Sequence, residues 1–129
     1  MGRTLEEIDA APAPWPTELR VSPDRTAMTV GFDDGQSFEI PAELLRVESP
    51  SAEVQGHSPT QKQLVAGKRN VKLVKADPNG NYAVRLHFDD SHSTGIFSWR
   101  YLRFLGENRE TLMADYLDAL DEAGLSRDG

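Results

Sequence analysis

The side chains that could do chemistry in this 129-residue chain are few and scattered. They are histidines at 57, 87 and 92, two adjacent carboxylate pairs (Asp33-Asp34 and Asp89-Asp90), and one Gly67-Lys68-Arg69 run. The chain has no cysteine, which excludes disulfides, thiolate-held zinc, cysteine-held iron–sulfur clusters and thiol catalysis. His57 and His92, with Asp89, Asp90 or Glu53, make a mixed nitrogen–oxygen donor set for a divalent ion such as zinc or iron. Against it stands the absence of any local ligand spacing: a solvent loop explains His57, and hydrogen bonding within an acidic turn explains His92. His87 alternates onto a polar strand face beside Arg85.

A small hydrolase or lyase built on the aspartate pairs would need one carboxyl buried with a raised pKa. Hairpin turns account for both pairs without chemistry, and no Ser-His-Asp motif of recognisable form is present. Gly67-Lys68 fails as a phosphate loop. The first glycine of that motif would fall on Lys62, and Arg69 replaces the hydroxyl that binds magnesium. Lys62, Lys68 and Arg69, with His57 and Asn70, are instead expected to form an exposed surface for an anionic ligand or an acidic protein partner.

Charge narrows the partners. The net charge of −7 argues against general nucleic-acid binding, which needs a basic face. For the same reason Trp99, Tyr101 and Phe104 are expected as core and rim aromatics, not a stacking platform. The five cations between Val54 and Ala76 meet no acid in that stretch, whereas Glu107–Gly129 holds seven acids and two bases. Such a dipole suits either intramolecular complementarity or an anion-attracting face. No apolar run reaches the ~18 residues of a membrane span, the chain opens without a basic-then-apolar leader, and Glu6 stands where myristoylation wants a hydroxyl. A cytoplasmic location is expected.

The elements that must position these residues centre on Tyr82–Gly106. Tyr82, Val84, Leu86 and Phe88 alternate with Ala83, Arg85 and His87, the pattern of a half-buried strand. Asp89-Asp90-Ser91 is turn chemistry, the return strand covers about His92–Phe97, and Gly95 marks a bulge or close approach. Ser98 caps a short helix carrying Trp99, Leu102 and Leu105 inward, which Gly106 ends. Fifty-six positions earlier the pattern recurs, with Ala27, Phe32, Asp33, Asp34, Ser37 and Ile40 matching Ala83, Phe88, Asp89, Asp90, Ser93 and Ile96. Two strand–turn–strand–helix units are therefore expected.

Around them, residues 1–16 read as a flexible arm with a short helix at Leu5–Ala10, pinned by Trp15. Thr17–Ser22 is a first strand with Leu19 and Val21 on one face. Pro41 sits in the first turn of a helix that sends Leu44, Leu45 and Val47 inward. Ser51–Arg69 is irregular and long for a loop. Asn70–Ala76 is a strand with Val71, Leu73 and Lys75 on one side, followed by an Asp77–Gly80 turn. Asn108 caps an amphipathic helix to Ala123 that docks Leu112, Met113, Tyr116, Leu117 and Leu120 on the sheet; Gly124 ends it, and 125–129 fray.

Three stretches carry a family resemblance. Leu44–His57, Ala66–Val71, and Asn81–Val84 with Phe88–Trp99 resemble small bacterial proteins of the DUF971 family, which is similar to the N-terminal domain of γ-butyrobetaine hydroxylase. The resemblance covers about residues 16–106. It implies a β-rich domain without a known reaction of its own. In the hydroxylases that domain precedes the oxygenase fold and holds zinc through three cysteines and a histidine. Transferred here, those positions are Ser49, Ser51, Val54 and His92, so three of four ligands are missing. The oxygenase domain has no counterpart, and its chemistry is not carried over. Similar modules appended to P-loop ATPases that carry iron–sulfur clusters suggest an adaptor in iron–sulfur protein maturation.

The expectation is thus one α+β domain over 17–106, a small antiparallel sheet or roll, followed by a C-terminal helix and tail over 107–129. Its expected role is that of a non-enzymatic interaction module without a resident cofactor, with the Ser51–Asn70 loop as the surface to test first. A metal-binding protein using His57 and His92 is the alternative.

Overall fold

The structure, a computed structural model, describes residues 15–55 and 62–129. Residues 1–14 of the expected arm, with its helix at Leu5–Ala10, and His57 lie outside the described residues, while Pro16, expected in the arm, opens the first strand.

Alternating apolar residues turn the first half into a three-stranded meander. β1 (Pro16–Val21), β2 (Ala27–Phe32) and β3 (Ser37–Pro41) pair antiparallel in that order. Met28, Val30, Phe32 and Ile40 point into the core. Helix α1 (Ala42–Val47) follows, with Pro41 as its extended N-cap one residue before the first turn. The stretch expected to be irregular begins with a single turn, α2 (Ala52–Gln55).

The second half repeats the plan. β4 (Leu73–Asn79), β5 (Ala83–Phe88) and β6 (Ile96–Ser98) form another antiparallel meander, followed by α3 (Trp99–Glu107). β2 and β5 coincide at the fifty-six-residue offset, and both hairpins close alike: Phe32 N–H donates to Gln36 O, and Phe88 N–H to His92 O. Beyond that point the second unit holds one extra residue. Met28 faces Ile40 in the first unit, but the corresponding Val84 faces Phe97. Phe97 thus takes the core place that Ile40 holds in the first unit, and Ile96, matched to Ile40 at the fifty-six-residue offset, turns out to solvent. From there the offset is fifty-seven, which aligns the N-caps Pro41 and Ser98 and the fully buried Leu45 and Leu102.

Several boundaries move for physical reasons. The β4–β5 turn lies at Gly80–Tyr82, with Gly80 at φ +65°, so Asp77-Pro78-Asn79 belong to β4 and Tyr82 is 58% exposed instead of facing the core. A register shift between Leu73 and Lys75 breaks the alternation, leaving Leu73 buried and Lys75 outside. Gly106 does not end α3. It lies inside it, where a Cβ would come within 2.6 Å of the Phe38 ring. Asn108 holds the N-cap position of the last helix as expected, but its side chain makes no cap bond there; its Nδ2 instead donates to Phe104 O at the end of α3.

That last helix, α4 (Arg109–Glu122), buries Leu112, Tyr116 and Leu120 and packs on α1 and α3 rather than flat on a sheet; Leu117 faces solvent. Gly124 at φ +70° ends it as expected. Gly124 N–H donates to Asp121 O and Leu125 N–H to Leu120 O, the paired closing bonds of a Schellman turn. The core residues of both units, α3 and α4 form one continuous cluster. Among the described residues no helix is long and apolar enough to cross a membrane.

Candidate functional site

The two aspartate pairs divide their work identically in the two units. The first aspartate clamps the chain entering its unit. Trp15 N–H donates to Asp33 Oδ1 at 3.2 Å and Asp33 N–H to Trp15 O at 2.8 Å; Lys72 N–H donates to Asp89 Oδ1 at 3.0 Å and Asp89 N–H to Lys72 O at 2.9 Å. The backbone of Trp15 therefore does the pinning, while its side chain is exposed.

The second aspartate crosses to the other unit. Asp34 accepts from Arg103 Nη1 and Nη2 at 3.3 and 3.0 Å, and Asp90 accepts from Arg46 Nε at 2.7 Å. Arg46 and Arg103 are themselves equivalent residues of α1 and α3 at the fifty-seven-residue offset. Arg103 also bonds Glu107 and lies 5.0 and 5.1 Å from the ring centres of Phe32 and Phe38, where ring quadrupoles favour a cation. Asp90 has two further donors, Lys68 Nζ at 2.7 Å and its own turn's His92 N–H at 3.1 Å.

These contacts decide the protonation states. Burial pushes the Asp90 carboxyl up, but hydrogen bonds from Lys68, Arg46 and the His92 amide outweigh it and hold it at about 2. The bidentate bond from Arg103 lowers Asp34 despite opposing desolvation. Both are kept ionised, the opposite of the raised pKa a general acid requires. Arg46 Nη1 is buried without a hydrogen-bond partner.

Beside this network, the positions that the resemblance assigns to a zinc clasp come together as a hydrogen-bonded one. His92 is buried, with Nε2 2.9 Å from Ser49 Oγ, and Ser51 Oγ lies 2.7 Å from Thr94 Oγ1 in the segment before β6 that holds the extra residue. Gly95 permits this closeness, since a Cβ there would lie 2.3 Å from Ser49 Oγ. Val54 is buried on α2. A valine and two hydroxyls do not supply zinc's ligands, and no group of three or more His, Asp or Glu able to hold a metal occurs among the described residues.

The expected basic surface is largely paired. Lys62 bonds Glu48 at 2.6 Å, Lys68 bonds Asp90, and Arg69 makes two bonds to Asp128 at 2.6 and 3.2 Å. His87 pairs with Asp77 at 2.9 Å. The last residues do not fray. Gly67 N–H donates to Ser126 O and Arg69 N–H to Arg127 O, while Arg127 forks onto the buried Glu43 at 2.6–3.2 Å. This tail and the 67–71 segment enclose a cleft of about 340 Å³ that Lys68, Asn70, Asp89, Asp90, Arg127 and Asp128 help to line. Its charges are mixed and mostly matched.

Sequence reasoning missed Arg46, Arg103, Glu43 and Arg127. A signal for the first two existed: an arginine recurs in each unit's helix, one residue off the repeat offset and hidden by the insertion just before β6.

Comparison with known proteins agrees with this architecture. The family model for the gamma-butyrobetaine hydroxylase-like N-terminal domain matches residues 19–103. Two solution NMR structures share 44% and 43% identity with TM-scores of 0.79, covering 91% and 92% of this chain and 92% and 88% of theirs. A crystal structure of a DUF971 family protein of unknown function from Acidithiobacillus ferrooxidans shares 41% identity with a TM-score of 0.62, covering 74% of this chain and 98% of that one. No curated protein matches. With its repeated meanders, its aspartate clamps and a family match over most of its length, the chain belongs to the gamma-butyrobetaine hydroxylase-like N-terminal domain family, DUF971.

Proposed function

We propose that this chain is a non-catalytic interaction module of the cytoplasm whose working surface is the 62–71 segment and the cleft beside it. The observation that carries the reading is the use made of the reactive side chains. Asp34 and Asp90 are held ionised by cations of the opposite unit, and His92 bonds Ser49 within the core. These groups join the two units to each other. What the 62–71 segment presents outward is Gln63, Leu64, Arg69 and Asn70, on a backbone strapped in place by the tail and by Tyr116, whose hydroxyl donates to Val65 O.

The finer reading is an adaptor in iron–sulfur protein maturation, motivated by the appearance of similar modules beside cluster-carrying P-loop ATPases. The test is affinity capture from native lysate with wild type, Leu64→Asp and Asn70→Arg. Lys68→Glu is unsuitable, because it would set a carboxylate against Asp90 and unlatch the units. Recovery of a cluster-carrier ATPase by wild type, lost in both surface variants, supports the adaptor; its absence from the wild-type capture sinks it. The metal-binding alternative predicts stoichiometric zinc or iron(II) and a shifted His92 NMR signal on titration. The Ser49–His92 bond predicts neither.

A further inference from the structure

Each three-stranded sheet leaves two edges, and the molecule treats them unequally. An unpaired edge invites another strand, and proteins blunt edges with proline, charge or a covering group. On β3 the outward carbonyl of Glu39 accepts from Arg109 Nη1 at 2.5 Å. On β4 the Arg25 guanidinium donates to Val74 O at 2.7 Å and Leu73 O at 3.4 Å, a register shift follows Leu73, and Pro78 has no amide to offer. β6 is three residues long. Among the described residues, β1 alone presents a longer edge with neither a capping side chain nor an interrupting proline, along Glu18–Val21, where its pairing with β2 is regular.

The register fixes what β1 offers. Ser22 N–H donates to Ala27 O, so by antiparallel alternation Glu18 and Arg20 direct their backbone groups at β2, while those of Leu19 and Val21 point away from the sheet. Among the described residues nothing bonds them. Leu19 is 37% exposed. The flanking side chains, Glu18 and Arg20, share one face and reach each other at 3.1 Å.

We propose that β1 pairs antiparallel with β1 of a second copy of this chain, centred on Leu19. In that register Leu19 meets Leu19 and the two backbones exchange hydrogen bonds. Glu18 of each copy then stands directly opposite Arg20 of the other, twice over, so the strand is complementary in charge to itself. A foreign antiparallel strand would have to supply the same Glu-x-Arg order that a second copy carries by symmetry. The two meanders become one six-stranded sheet running through the pair. The contact is one strand wide, below the ~1,200 Å² of standard interfaces, so the dimer is weak and concentration-dependent.

Sedimentation equilibrium of the full chain over roughly 10 μM to 1 mM tests this. Wild type shows reversible monomer–dimer exchange. Glu18→Arg and Arg20→Glu each weaken the dimer about tenfold or more, since like charges then face each other at two places. The double variant E18R/R20E restores wild-type association, because complementarity is reversed rather than removed. Leu19→Pro gives a folded monomer with an unchanged circular dichroism spectrum, as the lost amide has no bond within the sheet. A wild-type chain monomeric throughout, a dimer indifferent to either single reversal, or a double variant no better than the singles would each overturn the proposal.

Discussion

Arg46 and Arg103 occupy the same place in the helices of the two units, and each reaches across to the hairpin turn of the other. Arg46 meets Asp90 and Arg103 meets Asp34. The partners are equivalent as well, so the pairs are reciprocal latches related by the internal repeat. They convert two half-buried meanders, each too small for a core of its own, into one body.

Loss of either latch is therefore expected to loosen both units together. Arg103→Ala removes the bonds to Asp34 and Glu107 and the packing over Phe32 and Phe38, and it lowers stability by roughly 2 kcal/mol. Arg103→Lys recovers only part of this, because an ammonium cannot make the two-pronged bond to Asp34. Urea denaturation followed by tryptophan fluorescence reads both. A single cooperative transition at lower midpoint is expected, and separate unfolding of the halves would contradict the latch.

Acid weakens the same joint. The Asp90 carboxyl titrates at about 2 in the folded chain against 3.8 ordinarily, so between those values the unfolded state binds more protons. Its contribution is complete above about pH 4 and is lost as pH falls to about 2, on the order of 1 kcal/mol after allowance for solvent screening. Asp24, held at about 2 by Ser22 and Thr26, adds a dependence of the same sign. Asp90→Asn should flatten the stability–pH curve in this window and leave the Asp24 part.

Gly95 and Ser49 form a second coupled pair. Gly95→Ala drives a methyl to 2.3 Å from Ser49 Oγ and should cost roughly 2 kcal/mol. In a Ser49→Ala background the same change should cost clearly less, since the nearest remaining Ser49 atom is Cβ at 3.5 Å. Additive penalties in this double-mutant cycle would show that the contact is not the cause.

The tail predicts a local readout. Arg127→Ala leaves the Glu43 carboxylate buried without its forked partner, which costs roughly 3 kcal/mol. It should also speed hydrogen exchange at the Gly67 and Arg69 amides, whose acceptors are Ser126 O and Arg127 O. Unchanged exchange at those two positions would mean that the tail does not hold the loop.

Much of the fold was legible because it is written in short-range pattern. The alternation in Ala27–Phe32 and Val84–Phe88, the acidic turns, the Ser98 cap and the Gly124 stop are local preferences that the structure keeps. Tyr82 was misplaced because alternation shows which side chains share a face but not where a strand begins, and the turn at Gly80 took it. The match of Ile40 to Ile96 fails because one inserted residue flips every side chain beyond it. The basic surface at Lys68 and Arg69 looked open because their partners, Asp90 and Asp128, stand far off in the chain.

The sequence alone determined the class of the domain, its two-fold repetition, its lack of thiol chemistry and its family, since each depends on residue type and spacing within a few tens of positions. Tertiary structure alone decided the crossed Arg–Asp latches, the seating of Ser126–Asp128 against Gly67–Arg69, and which sheet edge the described residues leave unpaired. Those depend on groups brought together by the closing of one core, and no local pattern encodes which distant charge will stand opposite which.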